Sequence, residues 1–339
     1  MSSTDAESPI RIGIIGCGGN MQGHVKRLLA TGEVDLVAFC DVREDAAIKT
    51  AENAGVEAVI GRTIFNDYET MLETVEMDAV CISTPHTLHF EQIMASLERG
   101  LHVLVEKPMV CKVDHAKRII EVARNVNKIV LVSYQRRYHP KYRYLRDAVL
   151  KGRIGRVIFV QAWLVQNWIR GQMARRAWRV QPQLSGGGQL MDSGSHLVDC
   201  IMWCANLTPQ EVFAYIDNYN SPVDVLNAIS VKFNEGALGT ISVLGEAPRF
   251  REELVIWGDK GAIYSLPEGI LEDMFDGDSR MVPQEELPPA SNPDRNFVDA
   301  VRGRDVVQSP PECGLRVVQL TEAAYKSAQT RQPIAVSDL

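Results

Sequence analysis

IRIGIIGCGGNMQGH, residues 10–24, is the stretch on which the fold turns. An apolar run of strand length gives way at once to glycines, and the helical pattern MQGHVKRLLATG follows. Gly16 and Gly18 hold the first two positions of G-x-G-x-x-G, and Met21 stands in the third. The first two allow a tight turn and let a pyrophosphate approach backbone N–H groups at a helix N-terminus. The third serves helix–strand packing, so its loss leaves the phosphate site intact. A lone imperfect motif is weak evidence, and Asp41 strengthens it. This acid ends the next apolar run, DLVAFCD (35–41), where it can bind ribose hydroxyls and repel a 2′-phosphate. NAD is therefore expected, with NADP possible because Arg43 stands close by. The alternative is a plain glycine turn beside an ordinary surface acid; the strand context favours the cofactor.

Outward from this loop, MDAVCIST (77–84), HVLVE (102–106) and KIVLVS (128–133) are further buried strands separated by amphipathic helices. Such alternation implies a parallel sheet covered on both faces, by default doubly wound. From about residue 155 strands follow one another with short turns, which predicts an antiparallel sheet. Six such strands are expected, from GRVIFVQAWL to GAIYSL, with one helix at about 186–204 and a closing helix at about 313–329. The segment 276–293, rich in Pro, Asp and Glu, reads as an exposed loop. The expected organisation is a disordered tail at 1–8, a dinucleotide-binding domain at 9–133, and a substrate-binding and oligomerisation domain at 134–339.

The chain has 339 residues and a formal net charge of −7, which argues against nucleic acid or an anionic membrane as partner. No apolar run approaches the roughly 20 residues that a bilayer span needs. MSSTDAESP lacks the basic and apolar regions of a signal peptide. Seven scattered cysteines, with no CxxC pair, suit a reduced cytoplasmic protein.

Two constellations carry chemistry. In HVLVEKPM (102–109) a buried strand ends on Glu106 and Lys107, pinned before Pro108. The residue before proline is held extended, so the Lys107 ammonium can be aimed. In SGGGQLMDSGSHLVDCIMW (185–203) Ser185 is a candidate N-cap, and three glycines permit close packing or ligand approach. Asp192 and His196 are four apart, so on a helix they share a face, and a carboxylate-oriented histidine is a usable base. A surface ion pair reads equally well, and a metal site ranks low for want of a third ligand. His86 and His89, in STPHTLHFEQ, follow a strand end, where doubly wound sheets bind ligands. A helix-start histidine with its bonds satisfied fits either one as well.

Together GIIGCGGNMQGH, FCDV, STPHTLHFEQIMASLERGLHVLVEKPM, GGGQLMDSGSH and GLRVVQLTEAAYKSA resemble the glucose–fructose oxidoreductase / inositol dehydrogenase (Gfo/Idh/MocA) family, from about residue 10 to 335. The resemblance implies an N-terminal Rossmann domain and a C-terminal α/β domain with an open, mostly antiparallel sheet. Dimers or tetramers would form through that sheet. It also implies hydride transfer between nicotinamide and a sugar, polyol or related carbohydrate, with Lys107, Asp192 and His196 catalytic and a cis Lys107–Pro108 peptide. Cofactor contacts would come from Gly16, Gly18, Gly19, Asn20, Met21, Asp41, Arg43, Ser83, Thr84, Pro85, His86, His89, Glu106 and Lys107. His86 departs from the asparagine that many members carry there. Rival readings are a recycling lyase or glycosidase with no net redox, and a non-catalytic NAD or sugar sensor.

For the substrate, QNWIRGQMARRAWRVQPQL (166–184) can wall the pocket. Trp168 and Trp178 can stack on a sugar, and Arg170, Arg175, Arg176 and Arg179 can bind a carboxylate. A solvated basic loop or an oligomer contact is the competing reading. Tyr134 and Arg136 are further candidates at the domain junction, where they could equally tie the domains together.

Overall fold

The computed structural model describes residues 8–277 and 279–339, so most of the expected tail lies outside the described residues. Six strands, β1 (Ile10–Ile15), β2 (Val34–Cys40), β3 (Ile64–Phe65), β4 (Ala79–Ile82), β5 (His102–Val105) and β6 (Val130–Val132), form the first sheet. All pairs are parallel and the order is β3-β2-β1-β4-β5-β6, the doubly wound arrangement. Ile12 and Ile14 lie in one apolar cluster and Ile15, Val80 and Ile82 in another, so both faces of the strands are covered. That is why these strands read as continuous apolar runs. Gly32, Gly55 and Gly100, just beyond three helix ends, take the left-handed conformation that helix termini favour.

Strand order reverses between β1 and β4, and their carboxyl ends open the crevice where such sheets take ligands. The turn after β1 presses against the turn after β4. Gly16 has φ of +86°, and a Cβ there would fall 2.6 Å from the Ser83 carbonyl oxygen. Only glycine fits.

The second sheet has nine strands: β7 (Val157–Asn167), β8 (Pro209–Asp217), β9 (Leu226–Phe233), β10 (Leu238–Leu244), β11 (Glu246–Gly258), β12 (Gly261–Leu266), β13 (Gly269–Met274), β14 (Ser279–Met281) and β15 (Ile334–Ala335). It is mostly antiparallel, with β7 and β10 parallel. Three strands were not expected. β13 carries Glu272 and Asp273, β14 sits inside the stretch read as a loop, and β15 has two residues. Strands of two or three residues, or one interrupted by acids as β13 is, give little apolar alternation.

The helix expected at 186–204 is broken. Pro182–Ser185 is a short helix, Leu190–Gly194 a π-helical turn, and Ser195–Ala205 an α-helix. Ser185 does not cap; its hydroxyl donates back to the Gln181 carbonyl at 3.0 Å. Of the two roles open to the triple glycine, close packing is the one realised. A Cβ on Gly188 would lie 2.1 Å from the Asp224 carbonyl oxygen, and one on Gly187 2.4 Å from Tyr325 Oη. The closing helix runs Pro311–Thr330.

One helix of the later stretch, Pro293–Val301, returns to the first sheet. Its Phe297 and Val298 are buried in one cluster with Ile12, Ile14, Leu104 and Leu131. No helix among the described residues is long and apolar enough to cross a membrane.

Candidate active site

The glycine turn ends on the helix Gly19–Leu29, whose N-cap Gly18 makes no side-chain cap bond and whose first turn holds no acid. A Cβ on Gly18 or Gly19 would meet nothing within 4 Å. Open space thus lies over unpaired N–H groups at a helix N-terminus, as a pyrophosphate requires. Asp41 faces the same turn: its Oδ2 accepts from the Cys17 N–H at 2.8 Å and its Oδ1 from the Arg43 N–H at 2.9 Å. The carboxylate is held at the ribose position with acceptor capacity to spare. These residues fit a dinucleotide. Asn20 is exposed in the first turn, and the Arg43 side chain is mostly exposed, its Nε 4.0 Å from Asp41. Met21 is a correction, since its side chain is wholly buried between helix and sheet and only its backbone can serve the cofactor.

After β4, Ser83 and Thr84 line the cleft, and Pro85 precedes the single turn His86–Leu88. His89 is fully buried, with its ring nitrogens 2.9 Å from the Pro108 carbonyl and 3.0 Å from the Thr84 carbonyl. It ties two loops together and does not reach the ligand space. His86 does line the cleft. Its Nδ1 donates to the Ser185 carbonyl at 3.0 Å, and burial pushes its pKa down to about 3, so the ring is neutral.

The Lys107–Pro108 peptide is cis, as the resemblance implied. Glu106 turns back under the cofactor turn, where its Oε1 accepts from His24 Nε2 at 2.9 Å. The other ring nitrogen, Nδ1, donates to Asp294 at 2.6 Å, and Asp294 also accepts from Arg27. Burial opposes a charge on His24, yet bonds from Asp294 and Glu106 outweigh it and lift the pKa to about 9. Burial likewise opposes charge on Glu106, but His24 and Lys107 bring it down to about 2. His24 and Asp294 escape a reading of the sequence because 270 residues separate them.

Lys107 is buried and points the other way. Its ammonium donates to Asp192 Oδ1 at 2.9 Å and to the Asp192 carbonyl at 3.2 Å, leaving one N–H donor for a ligand. Asp192 Oδ2 accepts from Trp168 Nε1 at 2.9 Å and from Arg179 Nε at 3.0 Å. Burial works against the Asp192 charge, but Lys107 and Arg179 overcome it and hold the carboxyl well below its usual range.

The pairing of Asp192 with His196 is not what forms. The π-helical turn, closed by the Gly194 N–H on the Gln189 carbonyl at 2.8 Å, breaks the i, i+4 register between them. Asp192 turns to Lys107. His196 instead lies edge-on to Tyr134, ring centroids 6.1 Å apart, and its buried Nδ1 has no partner among the described residues.

The substrate candidates divide. Tyr134 is buried beside His196 with an unpartnered hydroxyl. Trp168 positions Asp192 rather than offering a face. Trp178 meets His86 edge-on at 4.7 Å and lies under Arg179 at 4.4 Å. Arg170 is three-quarters exposed and paired with Glu246; Arg176 is exposed; Arg136 pairs with Glu252 along a separate groove of about 740 Å³. These three are not brought to the cleft, which is about 190 Å³ and lined by Gly18, Ser83, His86, Lys107, Trp178 and Arg179 among others.

Residues 10–134 match the model for an oxidoreductase family with an NAD-binding Rossmann fold, and residues 142–264 the GFO/IDH/MocA C-terminal domain. The chain belongs to the Gfo/Idh/MocA oxidoreductase family. Within it the chain is 26% identical to D-glucoside 3-dehydrogenase of Escherichia coli K12, over 97% of this chain and 98% of that one. It is 23% identical to the NADP-named D-xylose 1-dehydrogenase of Haloarcula marismortui, over 98% and 94%. Among solved structures, the WlbA dehydrogenase of Bordetella pertussis, in complex with NADH and UDP-GlcNAcA, shares the fold. That match has a TM-score of 0.85 at 24% identity, over 96% of this chain and 98% of that one.

Proposed function

We propose that this Gfo/Idh/MocA oxidoreductase transfers a hydride between NAD and a CH–OH or C=O group of a sugar, polyol or sugar derivative. One observation carries the reading: a buried ammonium, fixed by a carboxylate at the mouth of the dinucleotide cleft, keeps one donor free. When bound, the nicotinamide supplies the redox chemistry. Lys107 donates to the reacting oxygen and stabilises charge developing there, a contribution that pre-aimed donors make large. His196 takes the hydroxyl proton and returns it in the reverse direction. Asp192, saturated by its own partners, holds Lys107 rather than the imidazole. The test is reduced-nicotinamide absorbance on mixing the protein with NAD or NADP and a panel of inositols, aldoses, disaccharides and uronic acids. Accumulation of NADH is expected with at least one class. Silence across the panel, with a redox-neutral conversion of the sugar, would move the reading to recycling chemistry.

Asp41 sets the cofactor choice. Asp41→Ser should raise KM for NAD roughly tenfold, as loss of a charge-assisted hydrogen bond does, and narrow the gap to NADP. KM for both cofactors checks it; an unchanged ratio removes Asp41 from selection.

The second sheet also supports a second copy as partner. Its inner face buries Val160, Ala162, Leu164, Ile229 and Ile241, while Phe159, Trp163, Trp257 and Tyr264 lie half-buried on the other. Tyr215 on that outer face is 71% exposed. Tyr215→Glu, placing a charge there, should shift the solution mass towards the monomer, as light scattering would report.

A further inference from the structure

The basic segment between β7 and the Ser195–Ala205 helix holds Arg170, Arg175, Arg176 and Arg179, and only the last turns into the cleft. The Arg179 guanidinium is fixed on two sides, by Asp192 at 3.0 Å through Nε and by the Trp178 ring at 4.4 Å. Its two Nη nitrogens have no partner among the described residues and remain as a planar fork. Opposite oxygens of one carboxylate hold Lys107 and Arg179, so ammonium and guanidinium lie a short, fixed distance apart.

The charges around this cleft do not cancel. Below it, His24 and Arg27 balance Glu106 and Asp294. At its reacting end Lys107 and Arg179 share the single carboxylate Asp192, and burial keeps the His86 ring beside them neutral. One positive charge is left over. An uncompensated cation in a partly closed cleft is costly, and arginine's fork matches a carboxylate.

We infer that the substrate is a sugar acid, its reacting hydroxyl on Lys107 and its carboxylate on the Nη fork of Arg179. This rests on the dehydrogenase reading above and narrows it. The cofactor's pyrophosphate is the competing anion, but the glycine turn already offers it backbone N–H groups, whereas Asp192 anchors Arg179 beside Lys107.

The test uses pairs that differ only in carboxylate against hydroxymethyl: glucuronate with glucose, galacturonate with galactose, and UDP-glucuronate with UDP-glucose. The last pair separates a nucleotide-linked acid from a free one. For the wild type, kcat/KM should favour the acid of one pair about tenfold or more. Arg179→Gln should raise KM for that acid about 10–100-fold, the worth of a hydrogen bond between charged groups, with KM for NAD unchanged and the preference lost. Arg179→Lys should recover only part of it. Equal or better turnover of the neutral partner overturns the inference, as does an Arg179→Gln variant that loses NAD affinity while keeping the preference. Calorimetric binding of each pair to the NADH-loaded protein separates the two readings. Acid-selective binding that depends on Arg179, without turnover, supports the sugar acid and removes the dehydrogenase. Binding with no preference for the acid overturns the sugar acid alone.

Discussion

Lys107→Ala is expected to lower kcat about 10²–10³-fold, the usual cost of removing one donor aimed at a developing oxyanion. The loss should fall on kcat, because the bond strengthens only as charge builds on the reacting oxygen. Cofactor affinity should stay near the wild-type value, since the glycine turn and Asp41 are untouched. The fold should survive: Asp192 keeps its bonds from Trp168 at 2.9 Å and Arg179 at 3.0 Å, so no carboxylate is left buried without a partner. Steady-state kinetics on a verified substrate, with a fluorescence titration of NADH, separates the outcomes. A variant that loses cofactor binding but keeps kcat would make Lys107 a cofactor residue.

Asp294→Ala is expected to destabilise the protein by about 3–5 kcal/mol, the cost of stripping one partner from a buried charge pair. Asp294 is fully buried and meets His24 Nδ1 at 2.6 Å as well as Arg27. Without it, the charged imidazole keeps only Glu106, and the Pro293–Val301 helix loses its bonds to His24 and Arg27 of the Gly19–Leu29 helix. The pH dependence follows from the same bonds. His24 titrates at about 9 against an ordinary 6.5, so its stabilisation is complete below 6.5 and lost as pH rises through 9. Glu106 titrates at about 2 against an ordinary 4.5, so its share is complete above 4.5 and lost as pH falls towards 2. Urea unfolding across this range should show wild-type stability declining on the alkaline side, and a flatter decline in Asp294→Ala. Equal stability of the two proteins at neutral pH would mean the network contributes nothing net.

Local features were the ones legible in the chain. Gly16 and Gly18 with Asp41 pointed to the dinucleotide turn because strand, turn and acid lie within one short unit. Lys107 could be read because Pro108 restrains it from the next position. Asp192 and His196 were read as a pair, whereas Asp192 bonds Lys107 and His196 Nδ1 has no partner among the described residues. A spacing of four promises a shared face only in an uninterrupted α-helix, and a π-helical turn precedes His196. The acid that holds His24 was invisible, because Asp294 comes from a helix of the later stretch that packs on the first sheet. Among the four arginines, composition could not tell Arg179 from its exposed neighbours; the distinction lies in which side chain the Trp178 ring supports.

Net hydride transfer from sugar to nicotinamide is tested most directly with a deuterium label. The sugar giving the strongest response in the panel would be supplied with deuterium at its reacting carbon, and both products followed by mass spectrometry. Deuterium appearing in the reduced nicotinamide, one for each sugar oxidised, is the expected result. Label returned to the sugar with no net reduced cofactor, or lost to water, would contradict it.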